Sequence, residues 1–206
     1  MLKKWLRCLP VLLSPVLFAN SACAHGVIAG TSDFIAGLVH PVTSLENALP
    51  IFMLGVAVGQ NDLRRCEFAF WLFPLSVAFG ATAAMKLPGM PAVYLLNIVS
   101  IVVLGAVVAL GKKLPSALLF FLVLLFGLSH GYANGIEGTA QAKPAFFVSG
   151  VVLSAFFLLA YGCALTDFLL RRPVSWLPIA VRVSGSWSAA IGLLVLSVSQ
   201  RSVLFS

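Results

Sequence analysis

The chain has 206 residues, of which 61% are hydrophobic and 9% are charged. Soluble domains carry about 25% charged residues, so this composition excludes a soluble globular protein and indicates an integral membrane protein. The formal net charge of +7 comes from basic residues dispersed among short loops. Basic residues distributed in this way determine how a protein is oriented in the membrane, and they give no indication of nucleic-acid binding.

Residues 1–24 have the features of a cleavable secretory signal peptide. Basic residues at the start are followed by a short apolar run and then by Ala22-Cys23-Ala24, which fits the small-x-small cleavage pattern. An uncleaved first helix is the alternative. Cleavage after Ala24 makes residues 25–206 a single transmembrane domain that begins at His25. The free amine and imidazole of His25 could then chelate a metal together, unless this histidine is simply part of a disordered terminus.

Six apolar segments follow, and each is near the length that spans a membrane as a helix. They predict an all-α, polytopic bundle of about six transmembrane helices. Residues 27–40 are less apolar and could form a short re-entrant or interfacial helix ending at His40-Pro41. The segments cover about 44–60, 67–85, 91–110, 115–133, 144–166 and 180–199.

Basic residues are distributed unequally between the two sides of the predicted bundle. With six spans and a cleaved leader, the inner loops carry more of them than the outer side, in agreement with the positive-inside rule. This predicts a bacterial inner (cytoplasmic) membrane protein whose mature N-terminus is periplasmic. The inner residues are Arg64, Arg65, Lys112, Lys113, Arg171, Arg172 and Arg182, and the outer ones are Lys86, Lys143 and Arg201.

The first polar cluster of interest lies at the predicted outer edge of an apolar segment and contains His130, Asn134 and Glu137. Their spacing of i, i+4 and i+7 puts all three on one face if the helix continues through them. An imidazole, an amide oxygen and a carboxylate on one face could hold a divalent cation. The cluster could equally be a polar cap at the membrane surface.

The second polar cluster runs from His40-Pro41 to Glu46-Asn47 and lies on the same predicted side. Ser44, followed by an acidic residue, is typical of a helix N-terminus, and this accounts for Glu46. It does not account for His40. We therefore expect the two clusters to complete one ligand-lined site between helices.

These two patches resemble the patterns of the HupE/UreJ family, membrane proteins associated with nickel hydrogenases and ureases. The first family pattern has His-Pro, then Asp-His, then an apolar Met-x-x-Val-Gly stretch. The second is His-Gly-x-Ala-His-Gly-x-Glu, which residues 130–137 match except at Asn134. The resemblance implies a nickel or cobalt permease with a signal peptide, about six spans and a histidine soon after the cleavage site.

The chain departs from the family patterns at two histidines, where it has Asn47 and Asn134. Amide oxygen is a harder and weaker ligand for nickel or cobalt than imidazole nitrogen. The metal preference could therefore differ from that of the family. The candidate metal ligands are His40, Glu46, His130 and Glu137, supported by Asn47, Asn134 and His25.

The leading hypothesis is a permease or binding protein for a divalent transition metal ion, Ni²⁺ or Co²⁺ by resemblance, which enters from the periplasmic side. The ion is substrate, and no prosthetic group or enzymatic activity is expected. The sequence has neither a Gly-x-Ser-x-Gly elbow nor a His-Glu-x-x-His motif, which argues against an intramembrane protease. Expected partners are the lipid bilayer and metalloenzyme maturation proteins. The alternatives are a haem protein ligated by His40 and His130, and an accessory membrane protein without transport.

Asn97, a polar residue within the apolar segment 91–110, could line a pathway or make a helix–helix hydrogen bond.

Overall fold

The structure, a computed structural model, describes residues 32–61, 67–87 and 89–204. The predicted signal peptide and His25 lie outside these ranges. The described residues form seven helices and no strands, so the protein is all-α as the composition and segments predict. The helices are α1 (Asp33–Thr43), α2 (Leu45–Gly59), α3 (Phe68–Ala84), α4 (Pro91–Leu110), α5 (Ser116–Gly138), α6 (Pro144–Leu170) and α7 (Leu177–Leu204).

Each of the six apolar segments corresponds to one helix, although α5, α6 and α7 extend beyond the predicted segment ends. Not every helix is long enough to be a span by itself. The helices α4, α5, α6 and α7 are long and apolar enough to cross a membrane, and α1 with α2 passes the same test as a bent pair. Helix α3 has 17 residues, which gives a length of about 26 Å. That is slightly less than the ~30 Å of a hydrocarbon core. Length and composition therefore give four or five spans where the sequence predicted about six.

A break at Ser44 separates α1 from α2 and bends the chain by 74°. Ser44 has an extended backbone (φ −92°, ψ 114°), and Ser32 caps the start of α1 by accepting a hydrogen bond from the Ile35 amide. The sequence placed a short helix over residues 27–40. In the structure α1 ends at Thr43, so that His40-Pro41 lies inside its last turns. The break leaves His40 and Asn47 on two differently directed helices.

Glycines allow the helices to approach backbone to backbone. Gly131 and Gly135 of α5 lie on the α3 backbone at Val77 and Ala81, where a Cβ atom would overlap main-chain atoms. Gly55 of α2 packs on the α6 backbone in the same way. Small residues serve this purpose in membrane helices generally. These contacts fix α5 against α3 and α2 against α6.

Helix α7 packs mainly on α4. Gly105 of α4 and Gly185 of α7 lie at the closest approach of the two helices. Ser188 donates a hydrogen bond to the Ile101 carbonyl at 3.4 Å. Helix α7 therefore joins the bundle through one principal neighbour.

The bundle has two chemically different ends. We call them the histidine end, where His40 lies, and the arginine end, where Arg171 and Arg182 lie. At the histidine end, the Lys143 amide donates to Asp33 Oδ2 at 2.6 Å and Gly138 lies against the Phe147 ring. At the arginine end, Gln60 Nε2 and Arg182 Nε donate to the last carbonyls of α4, at 3.0 and 2.9 Å. The described basic residues before position 200 follow this division. Lys86 and Lys143 lie towards the histidine end, and the arginine end has Lys112, Lys113, Arg171, Arg172 and Arg182.

Candidate functional site

Two distant stretches of the sequence meet at one imidazole. Asn47 Oδ1 on α2 lies 3.0 Å from His130 Nδ1 and accepts a hydrogen bond from Asn134 Nδ2, also at 3.0 Å. On the other side of the ring, Ser100 Oγ on α4 is 3.0 Å from His130 Nε2. These four residues, which we call the deep polar cluster, connect α2, α4 and α5.

The orientation of the cluster follows from the packing of α5. Gly127, Gly131 and Gly135 recur every four residues and face α3. His130 and Asn134 have the same spacing but start one position earlier than Gly131, so they project from a neighbouring face of the helix. The glycine contacts therefore hold α5 in a rotation that directs the imidazole and the amide towards α2 and α4.

Hydrogen-bond directions in the cluster can be assigned from one constrained amide. Asn134 Nδ2 donates to the main-chain carbonyl of His130 at 2.7 Å. The reversed amide would place Asn134 Oδ1 against this carbonyl oxygen, and the two oxygens would repel each other, so the orientation of the amide is fixed. Asn47 Oδ1 is then an acceptor, so His130 Nδ1 carries the proton and donates to it. His130 Nε2 is left to accept from the Ser100 hydroxyl. The Ser100 hydroxyl also lies 2.6 Å from the main-chain carbonyl oxygen of Asn97, to which it can donate instead.

His130 lies deeper than the sequence predicted. It was expected at the edge of an apolar segment, but α5 continues eight residues beyond it to Gly138, a distance of about 12 Å. His130 and Asn134 are 1% and 2% exposed, whereas Glu137 is exposed. The predicted i, i+4, i+7 row is therefore present on one helix, but only its first two members are buried in the bundle.

The other predicted ligands lie nearer the histidine end. Glu46 accepts a hydrogen bond from the Tyr94 hydroxyl at 3.2 Å. The His40 ring is half-buried against Phe147, with centroids 5.8 Å apart, and interacts electrostatically with the Glu137 carboxylate. We call His40, Glu46 and Glu137 the end layer.

The structure thus divides the predicted ligands between the deep polar cluster and the end layer. Within residues 32–61, 67–87 and 89–204, no three His, Cys, Asp or Glu side chains converge closely enough to hold a metal ion. His130 does have a lone pair that could bind a cation, because the Ser100 hydroxyl can rotate from Nε2 to the Asn97 carbonyl. A cation bound there would draw its remaining ligands from amide oxygens or water.

Ser100 of the deep polar cluster and Asn97, whose main-chain carbonyl accepts from the Ser100 hydroxyl, had no ligand role in the sequence predictions. Asn97 Nδ2 donates to the Ser129 carbonyl at 3.4 Å, which is the helix–helix contact considered for it above. Ser100 was not selected at all. The available signal was the spacing of three that separates Tyr94, Asn97 and Ser100 in an otherwise apolar segment.

Two buried amide oxygens in this region have no hydrogen-bond donor in the described part of the chain: Asn97 Oδ1 and Asn134 Oδ1. Both residues are at least nine-tenths buried. A buried carbonyl oxygen without a donor is costly, and in proteins such atoms usually bind water or an ion. The site therefore has acceptor capacity that its own side chains do not use.

Comparison with known proteins identifies the family of this chain. The family profile described as HupE / UreJ protein matches residues 12–195. Protein HupE from Rhizobium leguminosarum bv. viciae is 25% identical over 183 residues, which cover 86% of this chain and 92% of that protein. No solved structure matches the chain. Because the profile spans nearly the whole bundle and includes every residue of the deep polar cluster, the chain belongs to the HupE/UreJ family.

Proposed function

We propose that this protein binds a divalent transition metal ion at the deep polar cluster and conducts it across the bacterial inner membrane from the periplasmic side. The observation that carries the proposal is the convergence of Asn47, His130 and Asn134 from two distant stretches on one buried imidazole. Ionisable and polar groups inside a membrane bundle are costly, and they usually mark a pathway for ions or substrates.

Nickel or cobalt is the proposed ion because the family is associated with nickel hydrogenases and ureases. Asn47 and Asn134 supply amide oxygens where the family patterns have imidazoles, so binding of these ions should be weaker than at a site with three histidines. The end layer supports cation capture, since Glu46 and Glu137 place two carboxylates near the mouth of the bundle at the histidine end. Proteins that mature a metalloenzyme are the proposed recipients of the ion.

The proposed orientation places the histidine end in the periplasm and the arginine end in the cytoplasm. Of the described basic residues before position 200, five lie towards the arginine end and two towards the histidine end, which agrees with the positive-inside rule. The sequence has no nucleotide-binding loop motif. The membrane potential is therefore the proposed driving force for inward movement of the cation.

Uptake of Ni²⁺ or Co²⁺ into proteoliposomes with an imposed membrane potential tests the proposal. We expect wild-type protein to accumulate one of the two ions and His130→Ala to lose accumulation while remaining monodisperse in detergent. Thr166→Val is the matched control, because Thr166 is a buried polar residue of α6 that packs against Gly59 near the arginine end, away from the deep polar cluster. Uptake that survives His130→Ala contradicts the proposal. Binding without uptake by the wild type favours an accessory role instead.

A further inference from the structure

Three polar residues of α4 form a row that leads from the histidine end into the bundle. Tyr94, Asn97 and Ser100 follow one another at intervals of three, so neighbours in the row are adjacent on the helix surface. Tyr94 is 52% exposed, whereas Asn97 and Ser100 are 4% and 0% exposed. With a rise of 1.5 Å per residue, this polar stripe descends about 9 Å and ends near the middle of α4.

Each residue of the polar stripe faces a polar group on a neighbouring helix. The Tyr94 hydroxyl donates to Glu46 at 3.2 Å, Asn97 Nδ2 donates to the Ser129 carbonyl at 3.4 Å, and Ser100 contacts His130 at 3.0 Å. The stripe is therefore lined by α2 near the surface and by α5 further in. It connects the end layer to the deep polar cluster.

Beyond Ser100 the buried lining becomes apolar. Leu104 and Val108 continue the same side of α4 towards the arginine end, and Leu54 and Val58 belong to the facing helix α2; all four are 0% exposed. On α4 and α5 the buried polar side chains among the described residues are confined to the half nearer the histidine end. The polar stripe thus reaches the centre of the bundle from one side and is closed by side chains of the core on the other.

Asn97 has unused bonding capacity at the intermediate step of the stripe. Its amide nitrogen makes only a long contact of 3.4 Å, and its Oδ1 atom is buried without a donor among the described residues. Carbonyl-type oxygens are the groups that replace water around a cation that enters a protein. Asn134 Oδ1, on the helix that faces Asn97, has the same unused capacity.

We infer that the polar stripe is the route by which a divalent cation reaches His130, and that Asn97 Oδ1 is one of the oxygens that replaces its water. The inference rests on the proposed function and adds a ligand on α4 that neither cluster of the sequence analysis contains. The route is open only from the histidine end in this conformation, because the apolar layer formed by Leu104 and Val108 closes it towards the arginine end, so passage of the ion requires that layer to open.

The test compares Asn97→Ala with Asn97→Asp in the full-length, detergent-solubilised protein, using Ni²⁺, Co²⁺ and Mn²⁺ each alone as the probe. The readout is the metal-induced rise in unfolding temperature at several metal concentrations, which gives an apparent Kd. We expect Asn97→Ala to weaken binding about 10-fold, the order found when a supporting group of a metal site is removed. Asn97→Asp retains an oxygen and adds a negative charge, so it should bind at least ~10-fold more tightly than Asn97→Ala. The control variant Thr166→Val should bind as the wild type does.

A purely structural role for Asn97 predicts a different pattern. If Asn97 only ties α4 to α5, both variants lose stability without metal and both retain the wild-type metal response. That result overturns the inference, as does equal weakening by Ala and Asp. His130→Ala separates the inference from the proposed function: loss of the metal response in His130→Ala alone leaves the function standing and removes Asn97 from the site. No metal response in the wild type overturns both.

Discussion

The His130 imidazole can exchange one pair of hydrogen-bond partners for another, and this predicts a measurable coupling between Asn47 and Ser100. With Asn47 present, Nδ1 carries the proton and Nε2 accepts from the Ser100 hydroxyl. In Asn47→Ala the proton can move from Nδ1 to Nε2, and the Nε2–H group can then donate to Ser100 Oγ. The Ser100 hydroxyl in turn donates to the main-chain carbonyl of Asn97 at 2.6 Å. The variant keeps two hydrogen bonds around the ring, so we expect a loss below about 1 kcal/mol.

The double variant Asn47→Ala/Ser100→Ala has no such alternative. Ser100→Ala alone keeps the bond from His130 to Asn47, whereas the double variant leaves both ring nitrogens without a partner. The double variant should therefore be more destabilised than the sum of the single variants by about one hydrogen bond. That amounts to roughly 0.6 kcal/mol by measurements within membranes and about 1 kcal/mol by measurements in soluble cores.

Reversible unfolding in mixed detergent micelles, followed by tryptophan fluorescence, measures this coupling by a double-mutant cycle. Pairing Asn47→Ala with Thr166→Val is the control, and these two changes, which lie near opposite ends of α2, should be additive within about 0.3 kcal/mol. Nitrogen NMR of His130 should in addition show the proton on Nδ1 in the wild type and on Nε2 in Asn47→Ala. Additive free energies for Asn47 and Ser100, with an unchanged tautomer, would refute the assignment of the hydrogen-bond network.

Three further changes test the packing that supports the site, each by the free energy of unfolding in the same micelles. Gly131→Ala places a Cβ against the α3 backbone and should cost about 2–3 kcal/mol. The control Gly89→Ala meets nothing within 4 Å and should be neutral. Equal stability of the two variants would contradict the close contact between α3 and α5. Gly111 has φ 63° at the end of α4, so Gly111→Ala should cost about 1–2 kcal/mol, and Gly111→Asn, whose side chain tolerates this backbone better, should cost less. Asp33→Ala removes the carboxylate that accepts a hydrogen bond from the Lys143 amide just before α6 and should cost about 1 kcal/mol. Asp33→Asn should retain part of this stability. No loss in the alanine variant would show that this contact is not stabilising.

Much of the architecture could be predicted from the sequence because each apolar segment satisfies its own backbone hydrogen bonds as a helix. The prolines at 91 and 144 begin α4 and α6 as their missing amide donors suggest. Helix α3 begins and ends within one residue of the predicted segment 67–85, and its 17 residues leave it just short of a full span. Hydropathy reports composition and does not locate the last helical residue.

The candidate site was predictable in part. The spacing of His130 and Asn134 indicated one helix face, and the two sequence patches do meet through Asn47. The depth of His130 was not predictable, because it depends on how far α5 extends past the neighbouring helices. Glu137 shows the same effect in the opposite direction: it shares the row of His130 on α5 but emerges from the bundle. The role of Ser100 required knowledge of which face of α4 packs on α5, and the almost uniformly apolar segment 91–110 gives little indication of that.

The attachment of α7 through α4 has a consequence for how the protein is made. The residues of the deep polar cluster lie between positions 47 and 134, and none of its hydrogen bonds involves α7. During synthesis these residues leave the ribosome before Leu177, the first residue of α7. The buried imidazole can therefore acquire its partners before the C-terminal helix is inserted, and α7 can dock afterwards onto α4 through the contact between Gly105 and Gly185.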